Sequence, residues 1–206
     1  MAPDKAKARP ARPSKVGKGE VRIIGGQWRR TLLPVADLPG LRPTPDRVRE
    51  TLFNWLGQDL TGWCCVDAFG GCGGLGFEAA SRGALAVLIV EQHPALVRGL
   101  LQLKERLQAA TVTVERGDGV SALRRLAPSS LDLVLLDPPF ESDLHAAALS
   151  AAAAAARPEA FIYLEGPRAW REDELAEMGF GGLGGLRVYR YLKAGAVHAH
   201  LLQRAA

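Results

Sequence analysis

The sequence predicts an α/β protein built on a mostly parallel, doubly wound sheet, with an antiparallel hairpin at its C-terminal edge and a hairpin-and-helix extension in front. Three observations predict it. From residue 64 onward, short apolar runs alternate with helix-length segments. The first of these runs leads into a glycine-rich loop that opens a helix. The last two runs are separated only by a turn at Ala194-Gly195.

The apolar runs lie at residues 64–66, 85–90, 112–114, 131–136 and 161–164, with helices expected near 74–82, 94–109, 119–126, 143–156 and 170–178. Strands buried on both faces read as continuous apolar stretches, and parallel neighbours need right-handed crossovers. Residues 186–192 and 196–203 complete a seven-stranded sheet as the terminal hairpin. In front, residues 21–24 and 27–33 predict two short strands around a tight Gly25-Gly26 turn. Thr44 is placed to cap the following helix, with Pro45 at its first position and Asp46 in its first turn. Val48, Leu52, Trp55 and Leu56 line one face of that helix; Arg47, Arg49, Glu50 and Asn54 lie off it. The expected division is a disordered basic tail at 1–19, the extension at 20–60 and the main domain at 61–206.

A chain of 206 residues, 48% hydrophobic and 23% charged, suits one medium globular domain. No apolar run reaches the ~18 residues that a membrane span needs. No apolar segment follows the basic N-terminus, so no secretory signal is expected, and the chain is expected to be cytoplasmic. Cys64, Cys65 and Cys72 are crowded together without the second ligand pair of a zinc site, which predicts reduced thiols and no metal. The formal charge of +4 is unevenly spread: residues 1–19 carry six basic side chains against Asp4, a net of +5, leaving −1 for the rest. Such an arm suits a polyanion, through phosphate contacts and counterion release, or serves only as a solvated tail.

The loop Asp67-Ala68-Phe69-Gly70-Gly71-Cys72-Gly73-Gly74-Leu75-Gly76 contains GxGxxG at Gly71, Gly73 and Gly76. Glycines let the backbone turn sharply and approach a ligand where a Cβ would clash. A dinucleotide would set its pyrophosphate there; S-adenosylmethionine would set its methionine part there, with Asp67 near the amino end. Glu91, at the end of the next strand, suits the ribose hydroxyls of either, with Gln92 beside it. Asp118, followed by Gly119, is placed to accept from an adenine amino group or to cap a helix.

Asp137-Pro138-Pro139-Phe140 leaves the end of the run at 131–136, on the side of a parallel sheet where ligands bind. A base amino group is a poor nucleophile because its lone pair is delocalised into the ring. Two acceptors gripping its two hydrogens free that lone pair. Asp137 is one, and the carbonyl of Pro138 the other, rigidly aimed because prolines fix φ and remove donors. Phe140 is placed to stack on the base. A methyl group then passes in line to the nitrogen, with the protein supplying mostly orientation.

The whole pattern resembles the RsmD family, bacterial 16S rRNA (guanine-N2)-methyltransferases. Four stretches carry the likeness: Arg22-Ile23-Ile24-Gly25-Gly26-Gln27-Trp28, the segment from Leu41-Arg42-Pro43-Thr44-Pro45-Asp46-Arg47 through Asn54-Trp55-Leu56, the glycine loop with Phe77-Glu78-Ala79, and Asp137-Pro138-Pro139-Phe140. The second is the most distinctive. The resemblance implies a Rossmann-like class I methyltransferase fold, S-adenosylmethionine as cofactor, and a guanine 2-amino target in 16S rRNA within a partly assembled 30S subunit. It also implies substrate contacts at Arg42, Thr44, Arg47 and Asn54, and cofactor contacts at Asp67, Phe69, Glu91, Gln92, Asp118, Gly119 and the loop glycines. A monomer is expected. The chain departs at Cys72, where the family usually has Ser, and at Gly70 and Gly74, where Ala is common. Rival readings are an adenine-N6 methyltransferase, a dinucleotide-dependent oxidoreductase and a non-catalytic RNA-binding assembly factor. Trp28, Trp63 and Trp170 read as packing residues, Arg47 as a partner for Glu50, and His198 and His200 as surface or edge histidines.

Overall fold

A computed structural model describes residues 19–140, 142–182 and 185–205. The expected basic tail lies outside these residues, except Gly19, which begins the first strand. The elements run β1 (Gly19–Arg22), β2 (Leu32–Val35), α1 (Asp46–Trp55), β3 (Cys64–Asp67), α2 (Gly76–Ser81), β4 (Ala86–Glu91), α3 (Pro94–Leu107), β5 (Val112–Arg116), α4 (Gly119–Arg125), β6 (Leu131–Leu136), α5 (Leu144–Ala155), β7 (Ala156–Gly166), α6 (Glu172–Leu175), β8 (Leu186–Ala194) and β9 (Val197–Arg204). A single wide turn, Ala176–Phe180, follows α6.

Strands β3 to β9 form one seven-stranded sheet in the order β5-β4-β3-β6-β7-β9-β8. Its first five strands pair in parallel, and β9 and β8 join antiparallel. This is the predicted architecture. The order reverses between β3 and β6, so the crevice at the carboxyl ends of these strands is where ligands bind in such sheets.

The period of two along each strand sorts its side chains between two cores. Cys65, Ile89, Leu133, Leu135 and Tyr163 pack on one face, in a cluster that also takes Val21, Ile23, Leu33, Val48, Leu52 and Phe53 from the extension. Val66, Val134, Leu136, Ile162 and Leu164 face the other way, against the alanines of α5. The extension therefore shares its core with the sheet. The same alternation carries Asp67, Asp137 and Glu165 to the face that the extension covers.

The N-terminal hairpin differs from expectation. Strands β1 and β2 do pair antiparallel, Gly19 with Val35 through Arg22 with Leu32, but residues 27–31 form the connection instead of a strand. Gly25 and Gly26 belong to a longer connection, in which the Gly26 carbonyl accepts from the Arg29 N–H at 3.3 Å, and they dock it onto α2. The Ile24 and Gly25 N–H groups donate to the Glu78 carboxylate at 2.7 and 2.8 Å, and the Trp28 N–H donates to the Ser81 hydroxyl at 3.0 Å. At Gly26, φ is +72°, and a Cβ would sit 1.8 Å from the Ser81 carbonyl oxygen, so only glycine fits.

Arg49 also differs: it is fully buried rather than on a solvated helix face. Its guanidinium donates to the carbonyls of Thr44 and Arg22 at 3.2 and 2.8 Å, pairs with Asp46 at 2.6 Å and lies 3.5 Å from Glu78. Glu78, buried as well, pairs with Arg82 at 2.8 Å. A polar knot on α2 thus ties the extension to the helix that opens from the glycine loop. The tryptophans pack as expected: Trp28 edge-on to Phe77, Trp63 stacked on Phe161, and Trp170 buried. His200 corrects the expectation of a surface histidine. It is buried, its Nε2 accepts from the Trp170 N–H at 3.0 Å, and burial pushes its pKa down to about 4.

Candidate active site

A cleft of about 890 Å³ opens over the carboxyl ends of β3, β4 and β6. Its wall includes Asp67, Phe69, Gly71, Glu91, Gln92, Asp118, Gly119 and all four residues of Asp137-Pro138-Pro139-Phe140. The glycine loop and the tetrapeptide, 61 positions apart from Gly76 to Asp137, therefore face one shared space.

The loop is held in shape by its own acids. Asp67 accepts from the Gly76 N–H at 2.9 Å and, weakly, from the Phe69 N–H at 3.4 Å. Glu91 spans two segments, one oxygen accepting from Gly71 N–H at 2.8 Å and the other from His93 N–H at 2.7 Å. Each Glu91 oxygen keeps a lone pair for a ribose hydroxyl. Gly73 and Gly76 stand behind the wall. A Cβ on Gly73 would come within 2.6 Å of Phe77, and one on Gly76 within 2.7 Å of Ile89, so these two let the loop pack against helix and strand. At Gly119 a Cβ would lie 2.0 Å from the Ala68 carbonyl oxygen, which fixes the start of α4 at the end of β3. Asp118 caps α4 through the Ser121 N–H at 2.8 Å, a bond that lowers its pKa, while still lining the cleft. It caps the helix and borders the cleft at once.

At the tetrapeptide, the Pro139 carbonyl accepts from the Ser142 N–H and hydroxyl at 3.0 and 2.6 Å, closing the turn. Among the described residues nothing donates to the carbonyl of Pro138. Pro138 lines the cleft beside Asp137.

Thr44 is not the cap of α1, a position taken by Pro45 without a side-chain bond. Its buried hydroxyl reaches across to the site, donating to Glu165 Oε1 at 2.7 Å with Asp137 Oδ2 3.4 Å away. The Tyr163 hydroxyl donates to the same Glu165 oxygen at 2.7 Å. Glu165 escaped the sequence reading; the signal was an acid at the carboxyl end of a buried strand, the position that Asp67 and Glu91 also hold. Burial pushes Asp137 well above the usual carboxylate range, with Glu165 and Asp67 adding repulsion. Burial raises Glu165 too, opposed by its two hydroxyl donors, and raises Asp67 to about 7.

The remaining expected substrate residues divide. Arg42 is exposed and borders the cleft. Arg47 is exposed on α1 away from the cleft wall, and it makes no ion pair with Glu50. Asn54 lies on a separate polar hollow of about 330 Å³ with Arg29 and Arg82, where it accepts from Gln58. The cysteines are unpaired thiols. Among the described residues no cluster of three or more His, Cys, Asp or Glu is placed to hold a metal ion, and no helix is long and apolar enough to cross a membrane.

A family model described as "Conserved hypothetical protein 95" matches residues 21–201, nearly the whole chain. The chain belongs to this family, the RsmD family. Among relatives, it is 44% identical over 133 residues to ribosomal RNA small subunit methyltransferase D of Escherichia coli, covering 65% of this chain and 67% of that one. It is 43% identical over 156 residues to the Haemophilus influenzae protein of the same name, covering 72% and 79%. Among solved structures, yhhF from Escherichia coli superposes with a TM-score of 0.74 at 34% identity, over 91% of this chain and 99% of that one. The fold is the class I methyltransferase fold of the RsmD family, with its antiparallel C-terminal hairpin in place.

Proposed function

We propose that the chain transfers a methyl group from S-adenosylmethionine to the exocyclic N2 amine of a guanine in 16S rRNA. The observation that carries this reading is the meeting of the glycine loop with Asp137-Pro138-Pro139-Phe140 over one cleft. The names of the Escherichia coli and Haemophilus influenzae relatives support the substrate class.

The residues fit this cofactor. Glu91 offers acceptors to a ribose, Asp118 to an adenine amine, and the Gly71 turn admits a close approach of the ligand. A wall bearing Asp67, Asp137 and Glu165 favours a cationic ligand and disfavours the pyrophosphate of a dinucleotide. When bound, S-adenosylmethionine supplies an electrophilic methyl on a positively charged sulfur. The chain's own part is orientation and charge. Asp137 and the Pro138 carbonyl take the two amine hydrogens and expose the nitrogen lone pair. Phe140 flanks the base. Thr44, held by the Arg49 bond to its carbonyl, braces Asp137 and Glu165. Arg42 at the rim is placed for an RNA phosphate. The substrate form we favour is a partly assembled 30S particle met by a monomeric enzyme, with the basic N-terminal residues adding phosphate contacts.

The test is incubation of naked small-subunit rRNA and of assembling particles with labelled cofactor, followed by nucleoside analysis. N2-methylguanine is the expected product. N6-methyladenine would replace the target in this reading, and RNA binding without label transfer would refute it.

A further inference from the structure

Resting on the proposed function, the geometry points to a second base-reading residue: we propose that Glu165 selects guanine by accepting its ring N1–H while Asp137 and the Pro138 carbonyl hold the adjacent amine. Three observations carry this.

The first is placement. In the register of β6 and β7, Leu135 pairs with Tyr163 and Leu136 with Leu164. The next step along both chains sets Asp137 beside Glu165, on the same face of the sheet. Both border the cleft, and the hydroxyl of Thr44 lies between their carboxylates at 3.4 and 2.7 Å.

The second is how Glu165 is held. Thr44 and Tyr163 both donate to Oε1. Among the described residues no hydrogen bond is made to Oε2. A side chain only 2% exposed has one oxygen anchored by two hydroxyls and the other left for something in the cleft. Anchoring Thr44 and Tyr163 alone would not require a carboxylate, and burying one without full use of its acceptors is costly.

The third is the match of chemistry. The edge of guanine presents N1–H next to the two amine hydrogens, a row of donors, and a row of acceptors complements it. Adenine presents an amine beside N1 with a lone pair, which a second carboxylate repels. Sites built around such a buried bond reject analogues that lack it. Burial raises the Glu165 pKa, and the two hydroxyls donating to Oε1 oppose that rise, toward the ionised, accepting form that this role needs.

The test separates base reading from mere bracing. 2-Aminopurine keeps the 2-amino group but has a lone pair at N1. Once the methylated position is mapped, small-subunit RNA is ligated from a transcript and a synthetic segment carrying guanine or 2-aminopurine there, then assembled into particles. The wild-type chain is expected to prefer guanine by at least ~10²-fold in kcat/KM. In Glu165→Gln, whose amide also donates, that preference is expected to shrink by at least ~10-fold, with S-adenosylhomocysteine affinity within about twofold of wild type. Equal slowing of both substrates would reduce Glu165 to a brace and overturn the inference. So would a wild-type chain that methylates 2-aminopurine as fast as guanine, a result that needs no variant. Failure to form any N2-methylguanine would instead overturn the functional reading on which it rests.

Discussion

Replacing Glu78 by Gln tests whether the extension is an integral part of the catalytic domain. In the native chain this buried carboxylate receives the Ile24 and Gly25 N–H groups at 2.7 and 2.8 Å and pairs with Arg82 at 2.8 Å, with the Arg49 guanidinium 3.5 Å away. The amide keeps the shape but removes the charge and turns an NH2 group toward donors. Removing one member of a buried ion pair costs about 3–5 kcal/mol, because the partner charge stays buried and uncompensated. For a domain of about 200 residues, 1 kcal/mol corresponds to roughly 2–4 °C, so Tm should fall by about 6–20 °C. Calorimetry gives this directly. Trp28 fluorescence should shift in the same variant as residues 24–28 loosen from α2, and turnover should fall with it, because Thr44 and its bracing of Asp137 belong to the same extension. The exposed pair Arg171 and Asp173 is the control: its loss should cost at most ~1 kcal/mol. A Glu78→Gln drop no larger than that control's would refute the view that this knot carries the docking.

Three further outcomes are expected. Asp137→Ala should lower turnover by at least ~10²-fold while S-adenosylhomocysteine binding, measured by calorimetry, changes little; intact turnover would dispose of the amine clamp. Asp67 is raised from 3.8 to about 7 by burial, so the folded chain binds more protons than the unfolded one between these values. The Asp67 contribution to the stability of the ligand-free chain should therefore fall as pH rises from 4 to 7, and Asp67→Asn should lose that part of the slope; parallel Tm-against-pH curves would contradict this. Deleting residues 1–18 removes six basic side chains; if they contact phosphates, the slope of log K against log salt should flatten by up to ~4, and an unchanged slope returns the arm to a solubilising role.

The sheet was legible because its central strands β3, β6 and β7 are largely buried and each core strand carries its own apolar signal. The helices read well for the same reason: α3 was expected at 94–109 and lies at Pro94–Leu107. What the sequence hid depends on contacts far along the chain. Thr44 looks like a cap because Pro and Asp follow it, and its real partner is 121 residues away. Arg49 reads as surface charge because arginine off an apolar stripe normally is; Asp46, Glu78 and the carbonyls of Arg22 and Thr44 make its burial tolerable. Gly25-Gly26 has the composition of a hairpin turn, yet its use is close approach to Ser81. Of the expected site, the cofactor acids and the tetrapeptide converge, whereas Asn54 and Arg47 lie elsewhere because neighbours on one helix need not face one cleft.

The three acids at the ends of β3, β6 and β7 bear on how each catalytic cycle ends. In the proposed function a sulfonium would give up its positive charge with its methyl group, so the spent thioether would leave these acids with one Coulomb attraction fewer than the incoming molecule had. Near such carboxylates the difference is on the order of 1–4 kcal/mol. The alkylated nitrogen, once it has released a proton to water, would carry one N–H and a methyl, so the acceptors that gripped it would no longer both be satisfied. On that reading the residues that draw in the reactants would lose their hold on both products at once, biasing the cleft toward exchange rather than toward a stalled complex.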